Sequence, residues 1–460
     1  MLIMSEQNAF PEKFIWGVAT SSYQIEGAPT AGGKGPSVWD IFSHIPGKIK
    51  NNDNGDIACD HYHQWPQDII LMQELGINAY RFSISWPRIF PTGSESKPNQ
   101  SGLDFYSKLV DVLLENHIIP FITLNHWDIP QGLEDAGGWP KRKMVDEFVK
   151  YSYHTSKHLG DRVENWITHN EPWCVSYLGY IEGRKPPGII NNWPKNLSTA
   201  HHLLLSHGMA IPEIKNNSKH SEVGITLNLN TAVPASGSTY DEDACRFYDG
   251  QFNRLFLDPI YNNEYPDDVF EHLITKDLIS ESDLNFIKQD DLNIISTKMD
   301  FLGVNYYSRA VIRNEEIDEK NNLPRNVDMG PETDFGWEIY PPGIYDLLMR
   351  LKNEYKVQNI YITENGCSYG DGPNSEGKIN DIRRIKYYRS HLTELKRAIE
   401  DGAPCNGYFA WSLMDNFEWG QGFSQRFGLV WVDFETLERI PKDSYYWYKE
   451  FISTNGSDED

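Results

Sequence analysis

Eight short runs rich in apolar and β-branched residues recur along this chain, and the stretches between them place apolar residues at helical spacing. The runs fall at 14–20, 79–86, 119–126, 163–170, 223–228, 301–307, 360–364 and 407–413. Near-continuous apolar strands are what a parallel sheet covered on both faces requires, and strands alternating with helices imply α/β architecture. Eight strands close a sheet on itself. The sequence therefore predicts a single (β/α)8 TIM barrel, with long βα loops forming a deep pocket. Helices are expected over 67–75, 103–115, 144–159, 199–210, 345–355, 382–400 and 444–452, the first stopping at Gly76 and the third at Gly160. Polar stretches at 30–60, 176–198, 308–342 and 415–435 are read as loops, mostly on the side where a barrel builds its pocket.

A chain of 460 residues is long for one domain, but barrels with extended loops reach this size as a unit. Pro, Gly and Ser are spread throughout and no internal repeat marks an array, so residues 1–460 are read as one domain with its core over about 10–453. No stretch is apolar enough to span a bilayer. The start, Met1-Leu2-Ile3-Met4-Ser5-Glu6-Gln7-Asn8, lacks the basic segment and apolar core of a signal peptide. Five widely spaced cysteines without a Cys-x-x-Cys pair fit a reducing compartment. A cytoplasmic location is expected, without membrane association. The formal charge of −24 opposes binding to nucleic acid and says little about a neutral ligand. Self-association is left open.

Two of the runs end on a carboxylate. Glu171 lies in Thr168-His169-Asn170-Glu171-Pro172, and Glu364 in Ile362-Thr363-Glu364-Asn365-Gly366. Barrel enzymes place their chemistry at the C-terminal ends of strands. Two carboxylates on one rim can divide the breaking of a glycosidic bond, one donating a proton and the other attacking the sugar carbon. The other strand ends add Gln24, Arg81, His126, Asn170, Asn228, Asn305 with Tyr307, and Trp411. Hydrogen-bonding groups and flat rings directed into one cup suit a polyhydroxylated ligand.

Several segments resemble glycoside hydrolase family 1, the retaining β-glucosidases and β-galactosidases of (β/α)8 fold. They are Phe14-Ile15-Trp16-Gly17-Val18-Ala19-Thr20 with Ser21-Ser22-Tyr23-Gln24-Ile25-Glu26-Gly27, Tyr80-Arg81-Phe82-Ser83-Ile84-Ser85-Trp86, and Asn125-His126-Trp127-Asp128. The two glutamate motifs follow, then Trp411-Ser412-Leu413-Met414-Asp415-Asn416-Phe417-Glu418-Trp419. The resemblance runs from about Phe10 to Phe451.

It implies that Glu171 is the acid/base and Glu364 the nucleophile, with Arg81 and the Tyr307 hydroxyl holding Glu364 ionised. An alternative for Arg81 is an ion pair in the barrel floor. It also implies that Gln24, His126, Asn170, Glu418 and Trp419 bind the hydroxyls of the nonreducing sugar, that Asn305 belongs to the same sugar site, that Trp411 lies under the ring, and that Trp127 and Phe427 close an apolar wall. Phe427 as plain core is the alternative. An intact Glu171 points to O-glycosides rather than thioglycosides, and Glu418 disfavours a phosphorylated sugar. Terminal β-D-glucosides, including cellobiose, cello-oligosaccharides and aryl or alkyl glucosides, are expected substrates. Galactosides and fucosides join them because Gln24 and Glu418 suit either orientation of the 4-hydroxyl. Trp173 and Leu178, with Asn228, would flank the aglycone entrance, where a Trp and a Leu narrow the mouth in glucose-tolerant family members. Packing of the loop is the alternative for Trp173 and Leu178. No cofactor and no metal are expected.

Other readings are weaker. A catalytically dead sugar-binding relative would have lost one of the glutamates, and neither is lost. His154 and His158 lie four apart on a predicted helix but lack the Glu of a His-Glu-x-x-His zinc site, and two surface histidines account for them. Gly32-Gly33-Lys34-Gly35 lacks phosphate-loop spacing, and the Asn-x-Ser triplets at Asn99, Asn196, Asn216 and Asn455 are expected by chance.

Overall fold

All eight predicted strands form, in a computed structural model that describes residues 9–318, 323–326 and 330–457. They are β1 (Ile15–Ala19), β2 (Ala79–Ser83), β3 (Ile119–Asn125), β4 (Asn165–Asn170), β5 (Glu222–Asn228), β6 (Phe301–Asn305), β7 (Ile360–Asn365) and β8 (Cys405–Trp411). Each runs parallel to the next in chain order, and β8 pairs back to β1 over Ile15↔Gly407 to Ala19↔Trp411. Every residue of β2, β4, β6 and β7 is buried. This is the signature of strands with helices outside and packed side chains inside.

The barrel interior is filled by aromatic rings. Phe121 meets Phe409 and Tyr361 edge to face, at centroid distances of 4.9 and 5.3 Å, and Tyr361 meets Phe301 at 5.2 Å. The same cluster continues to Trp411 and Phe427, so the rings that fill the barrel also support the pocket. Gly17 makes room for this filling. A Cβ there would stand 2.4 Å from the Phe409 ring and 2.8 Å from the Ala79 carbonyl.

Boundaries moved where proline intervened. The run read as 79–86 stops at Ser83, because Pro87 at the first turn starts a short helix, Trp86–Ile89. The stretch read as a loop over 176–198 holds most of helix Pro172–Tyr180 and the start of helix Trp193–Asn217, both opened by proline in the first turn. The second of these extends the helix expected over 199–210 in both directions. Helix Ile382–Glu400 forms as predicted. Between β5 and β6, helices Thr239–Asp249, Leu255–Tyr261 and Asp267–Thr275 form where none was expected. The stretch 308–342 also departs from a plain loop. Ala310–Asp318 pairs antiparallel with Leu323–Asn326 and parallel with Ala232–Pro234. Its parallel partner, Ala232–Pro234, is remote in sequence, so local pattern carries little of that signal. Among the described residues, no helix is long and apolar enough to cross a membrane.

Phe121 is 1% exposed and touches three rings of the filling. Phe121→Ala is expected to cost about 3–5 kcal/mol of stability through lost burial and the cavity left behind. Urea unfolding of the variant beside the parent measures it, and a loss within about 0.5 kcal/mol, as at an ordinary surface site, would refute this account of the core.

Candidate active site

β4 and β7 bring the two glutamates to the C-terminal rim. Glu364 sits within β7, and Glu171 follows the last residue of β4. The chain turns sharply there. Glu171 takes the left-handed conformation (φ 48°, ψ 69°), its N–H donates to the Thr226 carbonyl at 2.9 Å, and Pro172 begins a helix directly behind it. A left-handed backbone on a residue with a long side chain is costly and persists where surroundings enforce it. The turn re-aims the carboxylate from the strand into the cup.

One continuous hydrogen-bond path joins the two carboxyl groups. Arg81, fully buried on β2, donates from Nη1 to Glu364 Oε1 at 2.5 Å and from Nη2 to Asn170 Oδ1 at 2.6 Å. Asn305 Nδ2 donates to the same Asn170 Oδ1 at 3.0 Å and to Glu171 Oε1 at 2.7 Å. Thr363 Oγ1 donates to Asn305 Oδ1 at 2.7 Å, which fixes which end of that amide faces Glu171. The second oxygen of Glu364 accepts from the Tyr307 hydroxyl at 2.6 Å. Both Glu364 oxygens therefore have donors, one of them a cation, and charge-assisted bonds of this kind favour the ionised acceptor. The Arg81 ion pair belongs to this site and not to the barrel floor.

Burial pushes the Glu364 carboxyl up to about 7, and the Glu171 carboxylate pushes the same way. Arg81 pulls it down, joined by the hydrogen bond from Tyr307. The Tyr307 hydroxyl itself lies well above its usual range, first through burial and then through the Glu364 charge, so it remains a donor. Glu171 also touches a thiol. Cys174, one helical turn on, donates from Sγ to Glu171 Oε2 at 3.1 Å.

The amide of Asn170 also settles the state of His126. Its Oδ1 accepts two donors, so Nδ2 faces His126 Nε2 at 3.2 Å, and that ring nitrogen must be the acceptor. Burial, then the Arg81 and Lys185 charges, hold the imidazole well below its usual pKa. A neutral ring accepting at Nε2 carries its proton on Nδ1, which is buried and has no protein partner. That N–H is a buried donor with no partner among the described residues.

Aromatic rings wall the rest. The His126 ring lies near-parallel to Trp411 and to Trp419, 6.0 Å from each, and Trp419 packs on Trp127 at 4.5 Å. Trp127 donates from its indole to the Asn170 carbonyl at 2.8 Å. Glu418, partly buried beside Trp419, has its carboxyl pushed up to about 8 by burial, with Lys185 pulling it down. Gln24 directs its amide hydrogens to Asn416 Oδ1 and the Phe417 carbonyl, both at 2.9 Å, and so anchors the segment leading to Glu418. Phe427 is buried and packs on Tyr307, Phe335 and Trp337. These contacts place it in the core cluster with Trp411.

The sequence of residues 6–457 matches the model of glycosyl hydrolase family 1. The chain belongs to that family. It is 48% identical over 449 residues to a β-glucosidase A of Acetivibrio thermocellus, covering 97% of this chain and 99% of that one. To a 1,4-β-D-glucan glucohydrolase of Thermotoga neapolitana it is 46% identical over 453 residues, again covering 97% and 99%. The solved family 1 β-glucosidase of Thermotoga maritima superposes with a TM-score of 0.92 at 44% identity, over 99% of this chain and 100% of that one. Further structures of that enzyme hold glucoimidazole and deoxynojirimycin.

In this family 1 chain, the three residues expected at the entrance differ in setting. Trp173 is half-buried, stacks on Tyr177 at 4.7 Å and donates to Gln251 Oε1 at 3.0 Å. Leu178 is 4% exposed, and Asn228 is half-buried at the end of β5, in register with Asn305. His154 and His158 lie half-buried on helix Lys143–Leu159, and no cluster of three or more metal-ligating side chains forms among the described residues. Lys34 pairs with Asp40 at 2.6 Å.

Reading by sequence passed over Thr363, Cys174, Lys185, Phe335 and Trp337. The aromatic pair around Gly336 was the available signal for the last two. Cys174 and Lys185 reach the site only through the fold.

The carboxyl pair yields a direct test. A ¹³C NMR titration of Glu364 should move to higher pH in Tyr307→Phe, which removes a donor to the ionised form, and to lower pH in Glu171→Gln, which removes a neighbouring negative charge. Shifts of the opposite sign would overturn this electrostatic account.

Proposed function

We propose that this chain is a retaining β-glucosidase in which Glu364 is the nucleophile and Glu171 the acid/base. The observation that carries the reading is the asymmetry of the pair. Glu364 has a guanidinium and a phenol on its two oxygens, whereas Glu171 has one amide and one thiol. The stronger donors favour Glu364 as the charged member of the pair. Glu364 attacks the anomeric carbon while Glu171 gives its proton to the departing oxygen. Water, deprotonated by Glu171, then frees the sugar with its β configuration restored.

In this reading Asn170 meets the 2-hydroxyl, where contacts strengthen at the transition state. The free Nδ1–H of His126 serves a further hydroxyl, Trp411 lies under the ring, and Glu418 and Trp419 take the far edge. Asn305 positions Glu171. Substrates are terminal nonreducing β-D-glucosyl residues of cellobiose, cello-oligosaccharides and aryl or alkyl glucosides. Galactosides and fucosides are included because Glu418 accepts a 4-hydroxyl of either orientation. Residues 10–453 act as one catalytic unit. Five buried, unpaired cysteines support a cytoplasmic setting.

Glu364→Ala should abolish turnover, and azide should restore it on a reactive aryl β-glucoside, giving the α-glucosyl azide. Glu171→Gln should slow glycosylation by cellobiose far more than by a dinitrophenyl glucoside, since general acid assistance of about 10² to 10⁴-fold matters most for a poor leaving group. Near-normal hydrolysis by the first variant, equal losses on both substrates in the second, or initial release of α-glucose by the parent would refute the assignment.

We place the entrance at Trp173 and Asn228. Trp173→Ala should alter inhibition by glucose by opening the aglycone side. Leu178→Ala should act through packing, at about 2–5 kcal/mol of stability. Unchanged glucose inhibition in a folded Trp173→Ala protein would remove Trp173 from the entrance.

A further inference from the structure

Arg81 and Tyr307 donate to the two oxygens of Glu364, and Asn305 donates to Glu171 Oε1 at 2.7 Å. Nitrogen or oxygen donors thus meet every carboxyl oxygen of the pair except Glu171 Oε2. That oxygen accepts from Cys174 Sγ at 3.1 Å, its one hydrogen bond among the described residues. The backbone builds the contact in. Cys174 N–H donates to the Glu171 carbonyl at 2.9 Å, so acid and thiol are the two ends of one tight turn opening helix Pro172–Tyr180. Cys174 is 7% exposed, and it also lines a small cavity with the rings of Trp39, Trp127, Trp139 and Tyr180. A cysteine in such a setting packs as a small apolar side chain that keeps a weak S–H donor. Burial first, and then the Glu171 charge, holds the thiol well above its usual pKa, so it stays protonated.

The same contacts locate the proton that Glu171 delivers. Asn305 must present Nδ2 to Oε1, because its Oδ1 is taken by the Thr363 hydroxyl. A carbonyl oxygen accepts better than a hydroxyl oxygen, so the acid form of Glu171 carries its proton on Oε2. The thiol therefore touches the oxygen that gives up the proton and later takes one back. Other groups act on Glu171 through space: Glu364 on β7, Tyr307 after β6, Lys185 on the loop after the helix, and Glu418 after β8. Arg81 on β2 reaches it through Asn170 and Asn305. Cys174 is the group bonded to the reacting oxygen.

We propose that Cys174 is a positioning residue for the acid/base, whose S–H bond to Oε2 holds the proton-carrying oxygen of Glu171 in place through both steps of the reaction. This rests on the reading of Glu171 as the proton donor. A donor to a carboxylate favours its ionised form. A weak one suits a group that must be an acid in one step and a base in the next. The thiol orients the carboxylate, yet gives way when Oε2 is protonated, where a strong donor would hold the group ionised.

The pH dependence of kcat/KM for 4-nitrophenyl β-D-glucoside is measured in the parent, Cys174→Ala, Cys174→Val and Cys174→Ser, with thermal melts to confirm folding. The alkaline limb reports loss of the acid's proton in the free enzyme. Removing a donor to the carboxylate raises its pKa, so the limb should move up by about 0.5 to 1 pH unit in the Ala and Val variants. Cys174→Ser restores a donor and should bring the limb back to the parent's position or below it. The Ala and Val variants should also lose about two- to tenfold in kcat/KM on cellobiose and little on a dinitrophenyl glucoside, since the poorer leaving group needs the acid. Having two variants without a donor keeps the result readable if one fails to fold. A folded Ala or Val variant whose limb stays with the parent's, or which loses equally on both substrates, overturns the proposal, as does a Ser variant whose limb lies with that of Ala. Glu171→Gln separates this from the underlying reading. An alkaline limb that persists in it refutes Glu171 as the acid, whereas a limb lost there but unmoved in the Cys174 variants refutes the role given to Cys174 alone.

Discussion

The carbonyl oxygen of the Asn170 side chain is the point through which the site is held together. It accepts from Arg81 at 2.6 Å and from Asn305 at 3.0 Å, and each of those donors also binds one of the two glutamates. The relative placement of the carboxyl groups therefore depends on an amide that can face only one way. That orientation in turn sends Nδ2 to His126 and determines which ring nitrogen carries its proton. Five strands contribute: β2 through Arg81, β3 by leading to His126, β4 through Asn170, β6 through Asn305, and β7 through Thr363 and Glu364. A closed barrel is suited to this task, because parallel strands deliver side chains from distant parts of the chain to one rim at fixed spacing.

Such a network is expensive to bury and has to be complete. Each group is removed from water, and an unmet donor or acceptor among them would cost about 1–3 kcal/mol. The path from Thr363 through Asn305 leaves little unmet. Two donors remain: Arg81 Nε and His126 Nδ1 are buried without protein partners. The proposed function gives the second a sugar hydroxyl as its partner. Nothing in the structure explains the first.

The eight strands were legible because their pattern is local. An apolar, β-branched run reads as a buried strand wherever it occurs, and all eight runs became strands. The loops carry far less of their structure in local pattern. The parallel pairing of Ala310–Asp318 with Ala232–Pro234 arises from contacts between remote residues. The same distinction runs through the site. Glu171 and Glu364 end strands and announce themselves. Lys185 follows a helix in a stretch read as loop, and Trp337, 30 positions further along the chain than Tyr307, lies 4.9 Å from it.

The turn at Glu171 shows how the two scales meet. A strand ending at Asn170 and a helix starting at Pro172 leave a single residue to change direction, and that residue takes a left-handed backbone. Pro172 contributes by opening a helix in the first turn, where its missing N–H is no loss. The Thr226 carbonyl contributes by holding the Glu171 N–H in place. Because the helix begins at once, Cys174 arrives one turn later against Glu171 Oε2, and the carbonyl of Leu178 arrives where it can hold Lys185. A constraint set by one proline thus reaches both Glu171 and, through the following loop, the Lys185 ammonium on the Trp127 ring. Leu178, expected at the entrance from the sequence, packs the core with its side chain, while its carbonyl accepts from the N–H groups of Arg184 and Lys185.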